Sequence, residues 1–193
     1  DEIVKNILEE IKKDSELIDI TISCLFEKCI LQKSYMSCYI QILQTLDELY
    51  KIKEKIQKQV TVYTQLFQKM QDETVEEKYK QQYVFLCETN KLTDNYICFC
   101  ETIYHLEEKQ LIKQMYDQMI QTFLNKMDSC LQEDPPNTKD IYKYLSCMEN
   151  IYLQKKSCPL KIKQHLKQIQ SKLKDKKIIF KIMDIVELNE SVL

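Results

Sequence analysis

The 193-residue chain contains no glycine and only three prolines. Two-residue hairpin turns need positive φ, and a β-sandwich or barrel needs a turn about every eight to twelve residues. A chain without glycine has little with which to build them, whereas helices need none. Helical periodicity is accordingly the dominant pattern, with apolar side chains returning every three or four residues. Tyr35, Tyr39, Ile42, Leu46 and Leu49 make one stripe. Leu111, Met115, Met119, Phe123 and Met127 make a second, and Ile141, Tyr144, Leu145, Met148, Ile151 and Tyr152 a third. Each predicts an amphipathic helix.

Extended along the chain, the pattern predicts about ten helices: 2–13, 14–31, 34–47, 49–71, 74–89, 93–106, 108–128, 138–153, 159–174 and 176–188. Asp14 or Ser15, Ser34, Thr93 and Thr138 stand where an N-cap oxygen is wanted, and Pro159 suits a first helical turn. The strongest break is QEDPPNT at 132–138, whose adjacent prolines cannot continue a helix. Short turns between successive helices make neighbours antiparallel. Five such pairs give an all-α fold, either a compact bundle or a superhelical stack of hairpins. The last helix bears on that choice. Ile178, Ile179, Phe180, Ile182, Met183, Ile185, Val186 and Leu188 cover more than one of its faces, which predicts burial from two sides, as for an inner helix of a stack. The length suits a single domain spanning 1–193.

The net charge of −2 argues against a surface that grips nucleic acid throughout. The charge is uneven, however: residues 161–181 hold eight lysines against one aspartate. Lys161, Lys163, Lys167 and Lys174 read either as the solvated face of a helix whose apolar side is Ile162, Leu166, Ile169 and Leu173, or as a weak, sequence-independent RNA contact. The interleaved aromatics that base stacking needs are absent there. An odd number of cysteines, nine, and no N-terminal signal pattern predict reduced thiols in a cytoplasmic-type compartment. No apolar run approaches the roughly 20 residues that span a bilayer. Ala, Arg and Trp are missing while Ile, Lys, Gln and Tyr abound, as expected of an AT-rich genome such as that of a large DNA virus or a protist.

Nothing in the sequence predicts an enzyme, a cofactor or a metal. A glycine-rich phosphate loop is impossible without glycine. His105 and His165 lie in no nucleophile–base or metal-ligand spacing. Cys98 and Cys100 diverge on a helix and have no second pair, so packing is expected rather than zinc. Asn189-Glu190-Ser191 matches a glycosylation acceptor but lacks a secretory context.

Two segments carry a family resemblance. In ELIDITISCLFEKCILQKSYMSCYIQILQTL, 16–46, an apolar helix bearing Phe26-Glu27-Lys28 and the small Cys29 ends in a short loop, and Tyr35 and Tyr39 open the next helix. In HLKQIQSKLKDKKIIFKIMDIVELN, 165–189, Phe180 precedes a run containing Asp184, Glu187 and Leu188. Weaker likeness runs through FCETIYHLEEKQLI, 99–112, and KDIYKYLSCMENI, 139–151. Together these resemble the middle domain of eukaryotic initiation factor 4 gamma, a stack of five HEAT-type antiparallel helical hairpins. The chain departs from that pattern at Cys100, where the family has Gly, and at Asn189, where it usually has Arg.

The resemblance implies a scaffold that binds the two lobes of a DEAD-box RNA helicase of the initiation factor 4A type. Translation initiation ranks first because the Phe-Glu-Lys segment is closest to that branch; related scaffolds serve mRNA decay and splicing. A cap-binding protein would be engaged only through segments outside this chain. The implied helicase contacts are Glu27, Lys28, Lys33, Ser34 and Tyr35 at one end, and Lys177, Lys181, Asp184 and Glu187 at the other. Phe26 and Phe180 read as core, and Asp184 reads equally as a brace to a neighbouring helix. A direct RNA-binding protein using the lysine-rich end is the alternative.

Overall fold

The computed structural model describes residues 2–14, 16–72 and 82–190, and over these the protein is all-α. Nine α-helices are found among the described residues: α1 Glu2–Lys13, α2 Leu17–Leu31, α3 Met36–Tyr50, α4 Lys53–Asp72, α5 Gln82–Glu108, α6 Tyr116–Cys130, α7 Thr138–Lys155, α8 Leu160–Ser171 and α9 Lys176–Val186. Two-residue strands β1, Ser157–Cys158, and β2, Asn189–Glu190, pair in parallel. The sequence pattern gave no hint of them, since two residues have no periodicity to read. Among the described residues no helix is long and apolar enough to cross a membrane.

Contacts divide the chain into two compact units, 1–113 and 114–193. In the first, α2 packs on α3, α4 and α5. Its buried face is Ile22, Leu25, Phe26, Cys29 and Ile30. Phe26 is fully buried, as expected, with ring centroids 5.1 Å from Tyr63 and 6.3 Å from Phe99. Phe67 and Tyr96 extend this aromatic cluster. Such tilted and edge-on ring pairs add to the burial of large apolar area.

In the second unit α7 packs on α6 and α9, and α8 on α9 and α6. Ile141, Leu145, Met148, Ile151, Leu166, Ile169, Ile178, Ile182 and Ile185 fill the space between them. The β1–β2 pairing follows directly on α7 and α9, so their C-terminal ends lie side by side and the two helices run in the same direction.

Several expected boundaries are corrected. A break at Thr93 does not occur: α5 is continuous through it, because nothing between Asn90 and Asp94 obstructs a helix. The expected start at 74 lies outside the described residues, as does Ser15. The helix expected from 108 begins at Tyr116, because α5 ends in a left-handed turn. Gln110 has φ 57°, its N–H donates to the Glu107 carbonyl (2.9 Å), and the N–H of Leu111 donates to that of Leu106 (2.8 Å). This is a helix end that usually carries glycine, with the next apolar side chain, Leu111, buried beneath it.

Lys51 and Lys156 likewise end α3 and α7 in the left-handed region. The expected caps also move. Ser34 gives no side-chain cap, since a 3-10 turn at Lys33–Tyr35 precedes α3. Asn137, not Thr138, caps α7 by accepting from the Asp140 N–H (3.2 Å). Pro159 stands just before α8 rather than in its first turn.

Candidate functional site

Each unit presents one of the two faces that the sequence singles out. In the first, the α2–α3 connection is too short to fold back on itself and leaves its side chains outside. Glu27 and Lys28 are exposed on the last turns of α2, and Ser34 and Tyr35 on the 3-10 turn. Leu31, which the sequence reading passed over, is exposed beside them. Tyr35 is 60% exposed, its ring centroid 6.4 Å from that of Tyr39. The Tyr39 hydroxyl donates to Gln32 Oε1 and pins the turn.

Lys33 has a second role. Its Nζ lies 2.8 Å from Glu101 Oε2 on α5, where the Glu101 side chain is only 6% exposed. A buried carboxylate is costly without a cation, so Lys33 braces the fold as well as facing outward.

In the second unit the face is built on α9. Asp175 caps this helix, its Oδ1 accepting from the Lys177 N–H (2.9 Å). Ile178, Ile182 and Ile185 point into the core. At about 100° per residue, Lys176, Lys177, Phe180, Met183, Asp184 and Glu187 all fall within about 60° of Phe180 on the opposite side. All six are exposed.

Phe180 is therefore not core: it is 61% exposed, and Met183 is exposed with it. The expectation that α9 is buried from two sides fails for a geometric reason. Only one side of α9 meets α7 and α8, and its apolar residues outnumber the positions on that side. The 3.6-residue spacing of Ile178, Ile182 and Ile185 already places Phe180 outside, a signal masked by the run's overall apolarity.

Lys181 sits on the flank of this stripe and is committed to the fold. Its ammonium pairs with Glu149 on α7, the two side chains being 14% and 16% exposed, and lies 5.0 Å from the centroid of the Tyr142 ring. Of the carboxy-terminal set, the structure thus brings Lys177, Asp184 and Glu187 onto one outward face and turns Lys181 away from it.

The lysine-rich segment is also divided. Lys161 and Lys167 are exposed on α8, and Lys174 on the turn after it. Lys163 is not part of that solvated face: it is buried and donates to the Leu188 carbonyl just beyond the end of α9. A cation at the carbonyl end of a helix meets acceptors that the helix itself leaves unused.

Burial pushes the Cys29 thiol up to about 12 and the Cys158 thiol up to about 11. Burial likewise raises the Tyr116 and Tyr152 hydroxyls, so they stay neutral. The two histidines, which looked solitary in the sequence, each meet a carboxylate. His105 Nδ1 lies 3.3 Å from Glu108 Oε2, and His165 Nε2 lies 2.9 Å from Asp128 Oδ2, joining α8 to α6. Among the described residues neither ring is hydrogen-bonded to a serine or cysteine. No group of three or more His, Cys, Asp or Glu side chains is placed there to hold a metal ion. What the two faces offer chemically is contact area: exposed apolar side chains ringed by charges of both signs. No protein-family model, no curated protein and no solved structure matches the chain.

Proposed function

We propose that this chain is a docking scaffold for a DEAD-box RNA helicase of the initiation factor 4A type, acting in translation initiation. The proposal includes a HEAT-type stack of hairpins resembling the middle domain of initiation factor 4 gamma. The observation that carries it is Phe180. A large aromatic side chain left in water beside exposed Met183 and between charges of both signs has the make-up of an interface anchor, since apolar anchors ringed by polar groups carry much of the energy of protein contacts. Exposed Leu31 and Tyr35 give the first unit a smaller patch of the same kind.

Under this reading each unit engages one lobe of the helicase. Phe180, Lys177, Asp184 and Glu187 form one contact, and Glu27, Lys28, Leu31, Ser34 and Tyr35 the other. The scaffold contributes no reacting group. It lowers the entropic cost of bringing the two lobes together on ATP and RNA.

The test is a binding and turnover assay with purified helicase. The scaffold binds, and it raises ATP turnover in the presence of RNA. Phe180→Asp weakens the carboxy-terminal contact and removes most of the stimulation while binding through the first unit persists. Unchanged stimulation by the folded variant would remove α9 from the contact, and failure of the wild-type chain to bind any such helicase would sink the reading.

A second reading rests on the exposed lysines Lys161, Lys167, Lys172, Lys174, Lys176 and Lys177. These favour an RNA-binding helical protein. Its mark would be salt-sensitive RNA binding by the chain alone, which falls when Lys161 and Lys167 are replaced by Glu.

A further inference from the structure

We propose that the outward stripe of α9 is a self-complementary surface through which two copies of this chain associate, α9 against α9 in antiparallel orientation. The stripe is ordered along the helix: Lys176 and Lys177 in the first turn, Phe180 and Met183 in the middle, Asp184 and Glu187 at the end. Among the described residues none of the four charged side chains is held in an ion pair within the chain.

This order opposes the helix's own field. The N-terminal end of a helix favours acidic side chains and the C-terminal end basic ones, so these charges do not stabilise α9 by itself. A second α9 running the other way supplies what each end lacks. With the two-fold axis near residues 181 and 182, Phe180 faces Met183 of the other copy. Lys176 and Lys177 then face Glu187 and Asp184 at both ends, as an isologous contact requires. The two helix dipoles also become antiparallel. An unrelated partner would not have to match this palindromic order of charge, apolar centre and opposite charge.

A contact built on one helix from each copy falls at the small end of specific interfaces, below about 1,200 Å² in total, so the dimer is weak, with a Kd on the order of 10–100 µM. The inference does not rest on the helicase reading, although a dimer would cover the same side chains.

Sedimentation equilibrium of the full chain alone is the test. Wild type is expected to show a monomer–dimer equilibrium, and Phe180→Asp to be monomeric. Two further variants reverse the charges: Lys176→Glu with Lys177→Glu, and Asp184→Lys with Glu187→Lys. Both reversals suit the helix dipole better than wild type, so loss of association cannot be assigned to a melted α9.

Each reversed chain is expected to self-associate at least about tenfold more weakly, since like charges then face each other at both ends. Mixed together, the two reversed chains are expected to dimerise again. A monomeric wild type up to about 1 mM, a dimer indifferent to Phe180→Asp, or reversed chains that do not recover on mixing would each overturn the proposal.

Discussion

Phe26 and Phe180 are the same side chain in opposite surroundings, the first enclosed by Tyr63 and Phe99 and the second open to water. Truncating Phe26 to Ala leaves a ring-sized cavity and is expected to cost about 3–5 kcal/mol. Phe180→Ala removes a side chain that lies mostly in water, so its effect on stability should stay within about 0.5 kcal/mol. Thermal unfolding of the two variants distinguishes them directly.

The thiols divide in the same way. Cys24 and Cys38 are exposed, whereas Cys29 and Cys158 are buried. Among the thiols whose side chains are described, a thiol reagent near pH 8 is expected to modify Cys24 and Cys38 first, read by peptide mapping. In the unfolded chain Cys29 loses its proton near the ordinary 9.0, while the folded site holds it up to about 12. Above about pH 9 the unfolded state therefore binds fewer protons than the folded one, and stability falls as pH rises towards 12. Denaturant midpoints measured from pH 8 upward should decline, and Cys29→Val should flatten that decline.

At the scale of elements, the price of lacking glycine shows at the helix ends. Lys51, Gln110 and Lys156 hold left-handed backbone, which costs a residue with a Cβ roughly 1–2 kcal/mol. Gln110→Gly should stabilise the protein by about 1 kcal/mol, less than the full strain because glycine also loosens the unfolded chain. A decrease in the denaturant midpoint would count against the turn described here.

The Lys181–Glu149 pair ties α9 to α7 in a place that is mostly dry. Lys181→Met leaves the carboxylate behind and should cost about 2 kcal/mol, with part recovered by Glu149→Gln in the same chain.

These elements also mark what the sequence could tell. α1 was legible in its bounds, 2–13, and α7 in its stripe Ile141, Tyr144, Leu145, Met148, Ile151 and Tyr152, all of it buried; in α2 the burial of Phe26 was expected, while the full core face was not. The start of α6 was not, because Leu111 continues the helical stripe from within a turn. At the candidate faces Lys177, Asp184 and Glu187 were named from the family resemblance alone, and the structure places all three in water. The partners of Lys33, Lys163 and Lys181 were not legible, since a lysine's destination depends on elements distant in sequence.

At the scale of the whole molecule, the dominant feature is the division at Lys113 and Gln114, with each side holding its own apolar core. The backbone there is irregular, with positive φ at both Gln110 and Gln114. Two separate cores need not melt together, so a single unfolding transition is not guaranteed. Hydrogen exchange should report protection that falls out at two denaturant concentrations, one set of amides from each unit. A single concerted loss across both units would count against independent cores.

The same division matters while the chain is being made. Every residue of the first core precedes residue 114, whereas the second core is drawn entirely from the 80 residues that follow. At ~5–20 residues per second, ribosomes need roughly 4–16 s to add those residues, far longer than a small helical unit takes to fold. The first unit can thus close on the nascent chain before α9 exists, so Leu31 and Tyr35 are presented to the cell while the Phe180 stripe has yet to be made.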